Sequence, residues 1–404
     1  MTEGAEIVRI AAKGDGVTAE GRHVSGTAPG DIVAPDDSIR AGPHRAAPPC
    51  RHFVLRQAQG CGGCQLQHVD EAELTRFVTE RVIFAANGQD LDPTIVAPAH
   101  LSPAHSRRRA TLHAANVGGR VVLGFREGGS HRIVDLAECP VLTPALYALV
   151  APLRRMLAAQ GGKLAADIAL TQVDQGVDVA IKGLSVVGLA ATEAVLDFAR
   201  DNGLARLSLD QGFGNEALWE PEPVSVTLSG VPVAFPVGAF LQATHDGECA
   251  LVEAARDWLI GSTPVADLFS GLGTFAFALA GQGARVLAVE AARDAHLACK
   301  SAADRTGRQV VALHRDLFRN PLLPDELDRF GAVLLDPPRA GAREQVARLV
   351  HSKVPKIVYV SCNPASWARD AATLVAAGWR LAEVHPVGQF RWSTHVELAS
   401  LFVR

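Results

Sequence analysis

The feature that most constrains the fold is a regular alternation of strand-like and helix-like segments after Pro236. A helix is predicted over 248–260, and helices separate most of the apolar strand-like runs, which are VADLF, RVLAVE, VVALH, GAVLLDPP and KIVYVS. Two more strands close the chain. Apolar strands that alternate with helices form a parallel sheet with helices on both faces. The sequence therefore predicts a doubly wound, mainly parallel α/β domain over 236–404.

The remaining residues predict two further domains, because 404 residues of which 48% are hydrophobic are too many for one ordinary core. Residues 5–34 alternate apolar and polar positions between glycine-containing turns, which is typical of a short antiparallel β-unit. We assign it to a small domain over 1–46. Mixed strand-like and helical runs follow over 47–235, which we interpret as an α+β domain, with segment 70–97 expected to pack on the C-terminal domain.

The sequence predicts no export or membrane signal. It has no uncharged apolar run of 18 residues, and its start, MTEGAEIVRI, lacks the basic and apolar regions of a signal peptide. We therefore expect a cytoplasmic protein with no membrane contact, and a monomer as the default. Seven cysteines are too few for a disulfide scaffold, and clustered cysteines in a reducing compartment bind metals or do chemistry.

A candidate cofactor site lies at the carboxyl ends of the first strands, where doubly wound sheets bind their ligands. DLFSGLGTFAFALA places Gly271 and Gly273 in a turn before a helix, although such a turn can also serve packing alone. Glu290 ends the next strand and can bind both hydroxyls of a ribose, and Asp316 can meet an adenine amino group. A nicotinamide dinucleotide requires a third glycine for its pyrophosphate. The shorter loop favours S-adenosyl-L-methionine.

A candidate reactive site follows the next two strands. Asp336 ends the strand in LLDPPRAG, and Cys362 ends the strand in VYVSCNPASWARD, just before a predicted helix. A buried structural cysteine is the common alternative. We expect instead a reactive thiol whose pKa is lowered by the helix N-terminus and by Arg339 and Arg369. The Asp-Pro-Pro motif precedes an arginine here, whereas in amino-directed nucleic-acid methyltransferases an aromatic residue follows.

A thiolate beside a methyl donor indicates methylation of a pyrimidine at C5. This carbon is a poor nucleophile, and addition of a thiolate at C6 activates it. A base must then remove the C5 proton. Glu397, in FRWSTHVELASLF, is the first candidate for this base and His395 the second, while a salt-bridge role for Glu397 is the alternative.

Together these motifs resemble the RNA (uracil-5-)-methyltransferase family. The segments FLQATHDG, DLFSGLGTF, LLDPPRAG, VYVSCNPASWARD and STHVELASLF follow the family's order along almost the whole chain. The resemblance implies a Rossmann-like class I methyltransferase domain in which Cys362 is the nucleophile, Glu397 is the base, and Asp336 holds the pyrimidine or the donor. It adds four residues to the predicted cofactor contacts, which become Gln242, Phe269, Gly271, Gly273, Thr274, Glu290, Asp316 and Asp336.

The N-terminal half narrows the resemblance. Cys61 and Cys64 in CGGCQLQH, with Cys50 upstream and Cys139 in AECPVL, provide four thiols that suit either a [4Fe-4S] cluster or a structural zinc ion. The cluster-bearing members of the family carry the same CGGC and Cys-Pro motifs, so the resemblance implies a [4Fe-4S] cluster. The β-unit over 1–46 is similar to a shortened TRAM domain, a small OB-like β-barrel that binds RNA. These features are most similar to the branch of the family that modifies 23S ribosomal RNA.

Basic residues indicate where RNA binds, although net charge is −4. Six arginines lie between residues 100 and 132 against one acid, which suits a phosphate-binding surface or an ordinary solvated face. The predicted RNA contacts are Arg107, Arg108, Arg109, Phe240 and Arg339. Transfer RNA as the substrate, cytosine-C5 or amino-group methylation, and a non-catalytic iron–sulfur RNA-binding factor remain the alternatives.

Overall fold

The computed structural model describes residues 4–55 and 60–404. The chain begins with short antiparallel strands, which are β1 (Ala5–Ile10), β2 (Gly16–Thr18), β3 (His23–Val24), β4 (Ile32–Val33) and β5 (Ile39–Arg40). They form one sheet in the order β3-β2-β1-β4-β5. Ile7, Val17 and Val33 point into its core. The predicted antiparallel β-unit is therefore confirmed, and its likeness to a barrel stays a prediction.

A long helix and two very short strands follow. These elements are α1 (Glu71–Asn87), β6 (Ile95–Val96) and β7 (His100–Leu101). Leu74, Phe77, Val78 and Val82 form the buried face of α1, as the helical spacing predicts. The helix ends at Asn87, directly before Gly88.

The central part of the chain forms a mixed sheet with helices packed against it. Its strands are β8 (Arg109–Val117), β9 (Arg120–Gly124), β10 (Ala165–Val173), β11 (Gly176–Lys182), β12 (Arg206–Asp210) and β13 (Asn215–Trp219). Its helices are α2 (Pro144–Ala148), α3 (Val150–Gln160) and α4 (Leu189–Asp201). The strand order is β13-β12-β11-β10-β8-β9, and β11 and β12 are parallel. Leu112, Leu153, Ile168 and Val195 lie in the shared core.

The C-terminal part contains the predicted alternating unit, preceded by a hairpin. Its strands are β14 (Ser225–Leu228), β15 (Val231–Ala234), β16 (Val265–Leu268), β17 (Val286–Glu290), β18 (Val310–His314), β19 (Ala332–Leu335), β20 (Lys356–Ser361), β21 (Arg380–Gly388) and β22 (Glu397–Val403). Its helices are α5 (His245–Trp258), α6 (Thr274–Gly281), α7 (Arg293–Thr306), α8 (Pro324–Leu327), α9 (Arg343–Leu349) and α10 (Pro364–Ala376).

These strands form one large mixed sheet in the order β18-β17-β16-β19-β20-β22-β21-β6, with β7 also paired to β21. The first five strands of this order are mutually parallel, while β22 runs antiparallel between β20 and β21. Every residue of β16 and β19 is buried, as expected for strands covered on both faces. The predicted doubly wound sheet is therefore confirmed.

The chain divides into two compact units. The first comprises 1–77, 102–222 and 390–394, and the second comprises 78–101, 223–389 and 395–404. The division into three domains at residues 46 and 235 stays a prediction. Within the described residues, no helix combines the length and apolar character needed to cross a membrane.

Candidate active site

A cavity of about 630 Å³ opens at the carboxyl ends of the parallel strands in the second unit. A volume of this size suits a nucleoside-sized ligand. All three predicted catalytic residues line it, namely Asp336, Cys362 and Glu397. Six of the seven other predicted cofactor contacts also line it, and these are Gln242, Phe269, Gly271, Thr274, Glu290 and Asp316. The strand ends thus bring together residues that are far apart in sequence.

The Glu290 carboxylate lies where β17 ends, next to the glycine turn. One of its oxygens accepts a hydrogen bond from the Gly271 amide at 2.8 Å, and the other accepts one from the Ala292 amide at 2.6 Å. These two amides fix the orientation of the carboxylate. Each carboxylate oxygen can accept a further hydrogen bond, so the group keeps the capacity to bind ligand hydroxyls.

Two aromatic residues form one wall of the cavity. Phe269 follows β16 with a φ of +64°, a left-handed conformation that is uncommon for a bulky side chain. Its ring lies 5.4 Å from that of Phe318, measured between centroids. Such strained residues cluster at ligand sites. Sequence reasoning missed Phe318, although its position two residues after Asp316 would have been a usable signal.

Gln242 is held by a second amide side chain. Its Oε1 accepts a hydrogen bond from Gln389 Nε2 at 2.8 Å, and the Oε1 of Gln389 in turn accepts one from the Thr244 amide at 3.3 Å. Thr244 also caps α5, because its hydroxyl accepts a hydrogen bond from the Gly247 amide. Gln389 was not predicted as part of the site.

Gly273 has a packing role and does not line the cavity. Its φ is +94°, and a Cβ added there would lie 2.8 Å from the Phe277 ring and 2.9 Å from Cys299 Sγ. Gly271 differs, because its φ is +54° and no atom would lie within 4 Å of an added Cβ.

We predict that Gly273→Ala lowers the free energy of unfolding by about 1–3 kcal/mol more than Gly271→Ala does, because only the first substitution overpacks the core. Urea unfolding of both variants measures the difference. Equal losses would mean that the positive φ, which both glycines have, decides the cost and that the close packing around Gly273 does not.

Cys362 follows β20 directly and precedes α10. The helix begins at once because Pro364 occupies its first turn and the Asn363 side chain accepts a hydrogen bond from the Ala365 amide at 3.2 Å. The thiol therefore lies at a strand end next to a helix N-terminus, as the sequence predicts.

The loop after Asp336 is held to the start of α10 by backbone contacts. The Arg339 carbonyl accepts hydrogen bonds from Asn363 Nδ2 and from Ser366 Oγ, both at 3.0 Å. Arg369 donates to the Ala340 carbonyl at 2.9 Å. These contacts join the loop that carries Asp336 to the turn that carries Cys362, and so define their separation.

Burial and the repulsion between nearby negative charges favour the protonated forms of Asp336 and Cys362. The pKa of Asp336 is raised well above its ordinary value, first by burial and then by Glu397 and other carboxylates. The pKa of Cys362 is raised to about 11, first by burial and then by Glu397 and Asp336, while Arg339 opposes the rise. The expected lowering of the thiol pKa is therefore wrong. Two nearby carboxylates and the loss of water outweigh one arginine and the helix end.

The base candidates occupy different environments. Glu397 begins β22 and is 4% exposed, whereas His395 is exposed. His395 Nδ1 lies 3.5 Å from the guanidinium of Arg339, which also lines the cavity. The buried position of Glu397 favours it as the residue that acts inside the cavity.

Comparison with known proteins agrees with this geometry. The family model tRNA (Uracil-5-)-methyltransferase matches residues 234–404. An uncharacterized RNA methyltransferase of Zymomonas mobilis is 48% identical over 400 residues, which cover 99% of each chain. The 23S rRNA (uracil(1939)-C(5))-methyltransferase RlmD of Shewanella frigidimarina is 34% identical over 383 residues, which cover 89% of this chain and 82% of the relative. The chain belongs to the RNA (uracil-5-)-methyltransferase family.

The fold of this methyltransferase matches that of a solved relative. The tRNA (uracil-54, C5)-methyltransferase of Pyrococcus abyssi, determined in complex with S-adenosyl-L-homocysteine, superposes with a TM-score of 0.76. The alignment covers 100% of both chains at 22% identity. The likeness confirms the methyltransferase fold.

A second cavity of the methyltransferase, in the first unit, is lined by all four predicted metal ligands. It measures about 20 Å³ and is surrounded by Cys50, Cys61, Cys64 and Cys139. Burial raises the pKa of each thiol, to about 11 for Cys61 and to about 12 for Cys64. In the part of the chain that the structure describes, no group of three or more His, Cys, Asp or Glu side chains has an arrangement that would hold a metal ion. The donor type and the shared cavity nevertheless fit a thiolate-bound group.

The predicted RNA contacts occupy different places in the methyltransferase. Arg107 is part-buried and lines the cysteine cavity, and burial lowers its pKa. Arg109 begins β8, and Arg108 precedes it. Phe240, which is 57% exposed, and Arg339 line the large cavity.

Proposed function

We propose that the protein transfers a methyl group from S-adenosyl-L-methionine to C5 of a specific uridine in RNA, with Cys362 as the nucleophile. The observation that carries the proposal is the meeting of Cys362, Asp336 and Glu397 in one cavity at the strand ends. A thiol and a buried carboxylate are the two groups that C5 methylation of a pyrimidine requires.

The order of the chemical steps follows from which groups of the site carry a proton. The resting thiol is protonated because its pKa is about 11, so it must lose its proton to a neighbouring carboxylate or to water as it attacks. Its sulfur then adds to C6, which makes C5 nucleophilic, and C5 takes the methyl group as the bond from this group to the donor sulfur breaks and S-adenosyl-L-homocysteine leaves. Glu397 removes the C5 proton, the double bond between C5 and C6 re-forms, and the bond from sulfur to C6 breaks.

S-adenosyl-L-methionine, when bound, supplies an electrophilic methyl group. We propose that Glu290 binds its ribose hydroxyls, that Asp316 lies near its adenine, and that Phe269 and Phe318 contact its base. Gln242 and Thr274 complete these contacts, and Gly271 lets the backbone approach. The proposal is supported by the size of the cavity and by the fixed orientation of the Glu290 carboxylate.

We propose 23S ribosomal RNA as the substrate, because the relative named as acting on it is 34% identical over most of both chains. The target uridine would be flipped into the cavity, where Phe240 can stack on a base and Arg339 can contact the nucleotide. We propose that Arg108 and Arg109 contact RNA phosphates. The predicted TRAM-like domain over 1–46 is a further proposed RNA-binding region. Arg107 remains a proposed phosphate contact because of its positive charge, although it lines the cysteine cavity.

Release of tritium from 5-tritiated uridine tests the function directly, since only C5 chemistry frees that atom. The substrates are 23S ribosomal and transfer RNA transcripts with S-adenosyl-L-methionine. We expect donor-dependent release from 23S RNA alone. Release from transfer RNA would mean that transfer RNA is the substrate. Methylated cytosine or methylated amino groups in the product would mean that the acceptor atom is not uridine C5. Donor binding without methyl transfer would indicate a non-catalytic RNA-binding factor.

We further propose that Cys50, Cys61, Cys64 and Cys139 hold a [4Fe-4S] cluster. Binding would deprotonate four thiols that burial otherwise keeps neutral. Anaerobically purified protein should contain about four iron and four sulfide per chain, as the cluster composition requires. Cys64→Ser should lose most of both, while Cys249→Ser in α5 should retain them. Stoichiometric zinc in place of iron would overturn the assignment.

A further inference from the structure

The five-residue segment 390–394 contacts the turn that follows Cys64 and leads along the chain to the candidate base Glu397. By its contacts it belongs to the first unit, although the residues on both sides belong to the second. It joins β21 to β22, and β22 begins with Glu397 only three residues later. Glu397 itself pairs with Val387 of β21, and whatever holds this segment also restrains the chain that leads into Glu397.

Trp392 is held in a strained conformation by the turn that follows Cys64. Its φ is +60°, which is rare for a bulky residue, and its side chain is buried. Its carbonyl accepts hydrogen bonds from the amides of Gln65 and Leu66, at 2.7 Å and 2.9 Å. Such a conformation persists only when the surroundings impose it.

The side chain of Gln65 adds a bridge between the cysteine turn and the segment. Its Nε2 donates to the Gly62 carbonyl at 2.7 Å, inside the CGGC motif. Its Oε1 accepts a hydrogen bond from the Thr394 amide at 3.3 Å. One amide group thus joins the turn between two cysteines to the residue that precedes His395.

Other contacts anchor the same segment. The guanidinium of Arg107, which lines the cysteine cavity, lies 5.4 Å from the centre of the Phe390 ring. Arg391 donates to the Ser102 carbonyl at 3.1 Å and pairs with Glu71 at 2.5 Å. The segment therefore has contacts near both of its ends.

We infer that Gln65 is a positioning residue for Glu397, which it orients through segment 390–394, so that the cysteine cavity supports removal of the C5 proton. This inference rests on the proposed function. It assigns to the cysteine turn a role in the last step of the reaction, after the methyl group has been transferred.

The test compares Gln65→Ala with Gln89→Ala, an exposed glutamine after α1, and with Glu397→Gln. Each protein is mixed with ordinary uridine RNA and S-adenosyl-L-methionine, and the denaturation-stable protein–RNA complex is measured together with turnover. We expect Gln65→Ala to lose about 10-fold to 100-fold in turnover, as misplacement of a catalytic group by about 1 Å does. Its methylated complex should accumulate, the KM for RNA should stay within about two-fold, and metal content should be unchanged, whereas Gln89→Ala should behave as wild type.

Phe390→Leu is a second variant, which removes the ring beside Arg107 and should give a weaker form of the same accumulation. Loss of turnover without accumulation in both variants would overturn the inference, as would normal turnover. Glu397→Gln distinguishes a failure of the proposed mechanism from a failure of the inference about Gln65. If Glu397→Gln accumulates no complex, the proposed mechanism is wrong. If Glu397→Gln is the only variant that accumulates complex, the mechanism stands and the role of Gln65 is wrong.

Discussion

Cys362→Ala is expected to abolish methyl transfer, with turnover reduced by at least about 10³-fold, because Cys362 provides the only thiol among the described residues that line the cavity. The variant should still bind S-adenosyl-L-methionine and RNA. It should form no covalent complex with RNA that contains 5-fluorouridine, whereas the wild type should be trapped. Denaturing gel electrophoresis of the mixtures measures the complex.

Cys299→Ser is a matched control, since this buried cysteine packs behind Gly273 and lies outside the cavity lining. The rate of covalent complex formation by the wild type should also rise with pH between about 6 and 9, because a thiol whose pKa is about 11 has little thiolate in this range. Normal turnover by Cys362→Ala would refute the thiol mechanism, and a rate independent of pH would mean that a neighbouring carboxylate takes the thiol proton during the attack.

Glu397→Gln is expected to stop the reaction after methyl transfer. The amide cannot accept the C5 proton, so the methylated RNA should remain attached to Cys362 and turnover should fall by about 10²-fold to 10⁴-fold, the usual contribution of a general base. Complex should therefore accumulate with ordinary uridine RNA, for which the wild type leaves little. Gel electrophoresis with donor carrying a labelled methyl group detects it.

His395→Asn is the informative comparison for this prediction. His395 is exposed and lies beside Arg339, so its replacement should leave the release step largely intact. If this variant accumulated the complex and Glu397→Gln did not, the base would be His395.

The second unit was predictable because its strands are buried on both faces. Such strands produce long apolar runs, and VADLF, GAVLLDPP and KIVYVS stand out from the helices between them. In a parallel sheet the strand ends meet at one edge, so residues that end the runs were expected to lie close together. This reasoning placed Glu290, Asp336 and Cys362 at one cavity.

Other features have no local signature. The protonation of Cys362 depends on Glu397, which lies on a neighbouring antiparallel strand, and sequence order does not reveal that proximity. The contact between Gln65 and Thr394 joins residues more than 300 positions apart. Gly273 was assigned to the ligand because a glycine turn looks the same whether the nearby atoms belong to a ligand or to the core.

The hydrogen bonds at Arg339 have a consequence for how this active site can change during evolution. Asn363 and Ser366 hold the carbonyl of this residue, which every amino acid possesses, and make no use of its side chain. Position 339 can therefore exchange one side chain for another while the nucleophile and the Asp-Pro-Pro loop keep their spacing. A change of side chain at position 339 would therefore alter the charge beside the Cys362 thiol without loosening the backbone contacts that hold the loop.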